Sequence, residues 1–274
     1  MTRPLQPMNL PDVTPGLPPT AVPEFQWVDP AVLLVDDTYQ RDLSRGSVEL
    51  IRKIVRTWDW ARFKPPVVAE TPEGFEVIDG QHTAIAAATH GGLGKIPVMV
   101  VRAAEVSDRA RAFVGHNRDR LALSQVSIHF ANVAAGDEDA LTVQQVCDRA
   151  GVKLLRYPPG NGEFKPGDTL AIAAIRALVN RRGAMGARVV LQTLSEAHCA
   201  PVGAGGIKAV EALLHDGEYK GQVTAADITS ALLTMGSEAE REGKIFAVAH
   251  NVPIWRGLAV VLFKGARRGR RRAA

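Results

Sequence analysis

The feature that most constrains this chain is the stretch VIDGQHTAIAAATHGG, Val77 to Gly92. A hydrophobic run ends at Asp79, and Gly80 permits a sharp turn with close backbone approach. A helix starts at once and carries alanines at 84, 86, 87 and 88. Side chains that small let a helix lie close against a sheet. The first amides of such a helix have no partner inside it and carry partial positive charge, a setting suited to a phosphate. The plainer reading is a capped helix after a strand, with Asp79 or Thr83 as the cap.

The flanking sequence extends this unit into a small mixed domain. FQWVDPAVLLVD reads as one or two strands broken at Pro30. SVELIRKIVRTWDW sets Val48, Ile51, Ile54, Val55 and Trp58 at helical spacing. Pro65-Pro66 stops any helix. PPVVAE, TPEG and FEVIDG read as strand, turn and strand. KIPVMVV follows the alanine helix as another buried strand, so the order is βαββαβ. SDRARAFVGHNRDR reads as a helix or a helix and turn.

From Ser124 the strand signal disappears. SQVSIHFANVAAG and DALTVQQVCDRAGV read as helices, RYPPGNGEFKPGD as a loop, and five more amphipathic helices follow, among them AADITSALLTMGSEAEREGK as a single segment. DALTVQQVCDRAGVKLLR has the glycine turn of a helix-turn-helix. Pro158-Pro159 leaves little room for a recognition helix, which favours a bundle helix ending at Gly151. The expected fold class is α+β: a small mixed α/β domain at 25–123 followed by an all-helical C-terminal region. The remaining segments are a proline-rich arm at 1–24, the helical region proper at 124–264 and a basic tail at 265–274.

Charge enters the reading at that tail. The chain carries +4, but Lys264, Arg267, Arg268, Arg270, Arg271 and Arg272 supply six positive charges in KGARRGRRRAA, and without them the rest carries −2. The five arginines suit contact with a nucleic-acid backbone; a solubilising tail is the alternative. No apolar run reaches the ~18 residues of a membrane span. No secretory signal is evident, and two cysteines, Cys147 and Cys199, make no disulfide framework. The expected location is the cytoplasm, with no membrane partner.

Three stretches, in order, resemble the ParB/sulfiredoxin-like superfamily. Gln40-Arg41 in TYQRDLS resembles its early Q-R box. DGQHTAIAA stands where ParB-type proteins carry G-E-R-R-x-R-A, sulfiredoxins G-C-H-R, and a phage and plasmid group D-G-Q-H-R. GHNRDRLALS resembles the E-N-x-Q-R-x-x-L box, with Asn117, Arg120 and Leu123 at its spacing. KIPVMVV matches the family's I-P-V strand, and the likeness covers about a third of the chain.

The resemblance implies a pocket for a nucleotide's phosphates, often with magnesium, built from Gln40, Arg41, Gly80, Gln81, His82, Thr83, Asn117 and Arg120. It implies a nucleotide or DNA as partner and a DNA-associated role, in maintenance, regulation or packaging, of phage or mobile-element type. The helical region would serve a protein partner or self-association. Three departures alter the site. Gln81 replaces the sulfiredoxin cysteine, which removes the thiol that chemistry needs. Thr83 replaces a phosphate-binding arginine. His116 replaces the glutamate that ParB proteins link to metal and hydrolysis, and imidazole is a poor magnesium ligand.

Two other readings stay open. A metal-dependent nuclease or a nucleotide-using phosphotransferase would take Asp79 and His82 as catalytic residues, and Asp36, Asp37 and Asp119 are the other acids near the boxes. A degenerate, non-catalytic scaffold is the alternative. The sequence assigns no metal ligand.

Overall fold

The computed structural model describes residues 4–38, 40, 43–118 and 123–273, with side chains up to Gly269. The chain divides into two compact units, residues 1–121 and 122–274. The first is a mixed α/β unit and the second is built on helices.

Residues 4–23 carry neither helix nor strand. The first unit then runs β1 (Glu24–Val28), a short 3-10 turn at Pro30–Val32, α1 (Arg45–Arg56), β2 (Val67–Thr71), β3 (Gly74–Asp79), α2 (Gln81–His90), β4 (Ile96–Val101) and α3 (Val106–Arg118). Its sheet has the order β1-β4-β2-β3. β4 is antiparallel to β1 and parallel to β2, and β2 and β3 form the hairpin expected from TPEG. The expected βαββαβ order is therefore present, with a 3-10 turn where the sequence suggested a second strand at Pro30.

Alternation decides which side chains meet which layer. One face gathers Val28, Val68, Val77, Ile96 and Val98 with Ala84 and Ala87 of α2. Alanine on this side of α2 brings the helix close to the strands. The other face gathers Val67, Ala69 and Ile78 under Ala112 and Phe113 of α3. A buried ion pair fastens α3 there: Arg109 Nε donates to Glu76 Oε1 at 2.9 Å, and Nη1 donates to the carbonyls of Ala103 and Ala104.

The second unit runs α4 (Gln125–Ala134), α5 (Glu138–Arg149), β5 (Lys153–Leu154), β6 (Asp168–Thr169), α6 (Ile172–Glu196), α7 (Ala204–His215), α8 (Ala225–Met235), α9 (Ser237–His250) and α10 (Ile254–Ala273). One core joins them, with Ile175, Leu178, Leu191, Ile207, Leu213, Ile228 and Leu262 fully enclosed.

Three details depart from the expectation. The region is not purely helical, because β5 and β6 make a two-residue parallel pair across the Pro/Gly loop. AADITSALLTMGSEAEREGK is two helices, because Gly236 takes φ 53°, ψ −133° between α8 and α9. The stretch read as a separate basic tail continues α10 to Ala273. α5 ends at Arg149, and the turn at Gly151 (φ 69°) leads into β5 rather than into a recognition helix, as the sequence favoured. Among the described residues no single helix is long and apolar enough to cross a membrane.

Candidate phosphate site

β3 and α2 meet at Gly80, which takes φ 89°, ψ 22° and acts as the N-cap residue of α2. A Cβ at this position would lie 3.0 Å from Pro66 Cα. Conformation and space therefore both require glycine here. No side chain caps the helix, so neither Asp79 nor Thr83 fills the role the plainer reading gave them. The first intrahelical bond joins the Ala84 amide to the Gly80 carbonyl at 2.9 Å. The amides of Gln81, His82 and Thr83 are thus the orphan donors at the positive end of α2. Their residues are half-buried.

The surrounding side chains divide into those committed elsewhere and those facing this corner. Gln40 donates its side-chain amide to the carbonyls of Val77 and Ile78, at 2.9 and 3.2 Å. These two bonds brace β3. Asn117 donates to the Phe113 carbonyl at 2.9 Å, one turn back in α3, and is exposed. That bond occupies one of its two amide hydrogens. Arg41 and Arg120 lie outside the described residues, as does Asp119. Among the described residues the imidazole of His82 makes no hydrogen bond, and both His82 and His116 are half-buried. Asp36 closes its own turn by accepting from the Thr38 hydroxyl and amide, and these two bonds hold its carboxyl below the usual range. Among the described residues no three His, Cys, Asp or Glu side chains come together as a metal would need.

The corner continues into a cavity of about 190 Å³ that sequence reading missed. Lys53 and Ile54 of α1, Trp58, Phe63 and Lys64 of the following loop, and Thr83 of α2 line it. Lys64 and Thr83 join the two features: Lys64 Nζ stands 3.8 Å from Asp79 Oδ2, and Thr83 sits in the first turn of α2. Trp58 does not extend the apolar face of α1, which ends at Arg56. It centres an aromatic cluster instead, 5.5 Å from the rings of Trp60 and Phe63. Its indole Nε1 is buried with no acceptor. A buried donor without a partner is costly, and an acceptor on a bound molecule would relieve it. Arg62 is held by Asp59, whose carboxyl is kept below its ordinary range by the Ala61 amide and by Arg62 itself. The signal for this pocket was the density of aromatic and basic residues in WDWARFK ahead of Pro65.

No family model matches the chain, and no curated protein matches it. Among solved structures it is similar to the C-terminally truncated chromosome-partitioning protein ParB from Caulobacter crescentus complexed with CTP-γ-S. The two share 12% identity at a TM-score of 0.33, over 89% of this chain and 99% of that one.

Chemically, the corner offers what an anion needs without a carboxylate acceptor in the first turn of α2. Three backbone amides lie at a helix start, two lysines stand at the adjoining cavity, Lys64 beside Asp79, and the Trp58 and Phe63 rings, inclined by 43°, line it with the Trp58 N–H buried and unpaired. Phosphate oxygens match the first two elements, and a planar ring with a carbonyl or ring nitrogen matches the third.

Proposed function

We propose that the first unit binds a nucleotide, its phosphates at the Gly80–Thr83 corner and its base in the cavity beside Trp58. The observation that carries this reading is the uncapped start of α2 opening beside that cavity. Backbone amides at such a start favour anions through both hydrogen bonds and dipole. Lys53 and Lys64 add charge without fixed geometry, as lysine does at phosphate sites. The unpartnered Trp58 N–H favours a base that presents an acceptor.

The resemblance of the three sequence boxes extends this to a ParB-like role in the cytoplasm. The protein would serve DNA maintenance, regulation or packaging, of the phage or mobile-element type whose D-G-Q-H-R stretch DGQHT resembles. Arg41 and Arg120 would then add guanidinium contacts to the phosphates. The loss of the arginine at position 83 lowers the charge of the site, so binding with modest affinity is expected.

Calorimetric titration of the full chain with CTP, ATP, ADP, a nucleoside and duplex DNA tests the reading. A triphosphate should bind more tightly than its nucleoside, and Lys64→Gln and Arg41→Ala/Arg120→Ala should each weaken it. Trp58 fluorescence should respond to the base. Binding indifferent to phosphate number and to all of these substitutions would remove the site.

A further inference from the structure

The second unit holds a larger concavity, a groove of about 1060 Å³ between α8, α9 and α10. Its shape follows from two glycines. A Cβ on Gly243 would lie 2.8 Å from Leu258 Cα, and one on Gly257 would collide with the Gly243 carbonyl oxygen. α9 and α10 therefore approach nearly backbone to backbone at this crossing, and the chain direction turns by 117° between them. Away from the crossing the two helices diverge, and α8 closes the third side.

The lining combines two chemistries. On α9, Phe246 and His250 stack with ring centroids 4.1 Å apart and planes inclined by 31°. On α10, Lys264 stands one turn before Arg268, and Lys264 Nζ lies 5.2 Å from the Phe246 ring centre. Among the described residues neither cation is paired with a carboxylate. Two acids share the groove. Asp227 is engaged by the amide and hydroxyl of Thr224 in the capping box of α8. Glu242 remains as a counter-charge on α9. Beyond the groove α10 continues with exposed Arg267 and, in sequence, Arg270, Arg271 and Arg272. Six cations thus fall within nine residues of one helix.

We propose that this groove binds single-stranded nucleic acid. A base stacks on the Phe246–His250 pair, and the phosphates run along Lys264, Arg268 and the arginine-rich end of α10. Charge complementarity selects a polyanion, and the stacked aromatic pair selects among polyanions. Base–aromatic stacking contributes about 1–3 kcal/mol per base and tolerates any sequence. A duplex keeps its bases stacked on one another, so it gains only the phosphate contacts. An acidic polypeptide likewise has no flat ring to offer. The inference uses residues of the second unit only and does not depend on the nucleotide reading of the first.

The test is fluorescence anisotropy on the full chain with a labelled oligothymidylate of about twenty nucleotides. A duplex of equal length and polyglutamate serve as competitors. The single strand should bind more tightly than the duplex, and polyglutamate should compete poorly. Phe246→Leu keeps apolar volume in the groove and removes the ring; it should weaken single-strand binding about fivefold or more and leave duplex binding unchanged. Lys264→Gln/Arg268→Gln should reduce the salt slope for the single strand by about 1.4 on a log–log plot. Thermal melts of each variant verify folding, and Lys208→Gln on α7 controls for a generic loss of charge. Equal binding of single strand and duplex with no response to Phe246→Leu would overturn the proposal. Equal competition by polyglutamate, or no binding of either nucleic acid, would do the same.

Discussion

Arg109 and Glu76 meet at 2.9 Å with side chains only 8% and 10% exposed, so a full ion pair lies between α3 and the sheet. Neither residue belongs to a sequence box, yet the pair sets where α3, and with it His116 and Asn117, can sit. Breaking a buried pair leaves an uncompensated charge, which costs about 3–5 kcal/mol. Arg109→Met should destabilise the first unit by that order, because it also strands the Ala103 and Ala104 carbonyls. Urea unfolding measures it. Combining Arg109→Met with Glu76→Leu should recover much of the loss, since replacing both charges by apolar groups is often near neutral. A double variant as unstable as the single one would show that the carbonyl contacts, rather than the charge pair, hold α3.

Gly80 is the residue on which fold and candidate site both turn. Alanine there must adopt φ near 89° and bring its Cβ to 3.0 Å from Pro66 Cα. Backbone strain of this kind costs about 1–3 kcal/mol, and the contact with backbone adds to it. Gly80→Ala should lower the urea midpoint and weaken triphosphate binding together. His82→Ala, with no hydrogen bond to lose, should leave the midpoint within about 0.5 kcal/mol of wild type. If Gly80→Ala weakens binding no more than it lowers stability, the corner is structural only.

The βαββαβ order, the glycine corner and the alanine face of α2 were legible because punctuation and period announce them. Gly80, Gly91 and Pro65-Pro66 mark ends that no neighbour overrides, and alanines can serve only a close-packed face. The Trp58 cavity was not legible, because Lys53, Trp58, Lys64 and Thr83 become neighbours only when α1, its loop and α2 fold onto one layer. Trp58 also satisfied the helical spacing of α1 by coincidence, one residue past the C-cap at Thr57. Gln40 was matched to a motif by type and order, which says nothing about whether its amide is already used by Val77 and Ile78. The break at Gly236 was missed because a single glycine can sit inside a helical pattern, and the polar run SEAEREGK after it is composed of good helix formers; only the backbone at φ 53°, ψ −133° ends α8 there. Position within a box identifies a residue for attention; only its hydrogen bonds decide whether it is available to a ligand.

The two thiols give a simple chemical check on the second core. Burial pushes Cys147 up to about 12 and Cys199 to about 11. The thiolate is the reactive form, so both should be inert to a disulfide reagent near pH 8 while the chain is folded. Two equivalents should react in denaturant. Cys199 is half-buried and Cys147 fully buried, so any reaction of the native chain should begin at Cys199. Rapid reaction of both in the native chain would contradict the burial of Cys147 in the core of the second unit.

His129 should make the second unit sensitive to acid. Its side chain is fully enclosed; Nε2 lies 3.4 Å from Gln144 Oε1, and Nδ1 has no partner. Burial lowers its pKa from the ordinary 6.5, the contact with Gln144 opposes that shift, and Arg176 adds to it. The unfolded chain therefore takes up this proton before the native chain does. The stabilising contribution is complete above 6.5 and is lost as pH falls below it, by at most about 1.4 kcal/mol per pH unit while the native imidazole stays neutral. His129→Gln removes the titration and keeps a polar side chain near Gln144. Urea midpoints at about pH 7.5 and about pH 5.5 should separate further in wild type than in His129→Gln. The sign matters as much as the size: a wild type that gains stability relative to the variant on acidification would mean that the imidazole is protonated in the native core, with an acceptor at Nδ1.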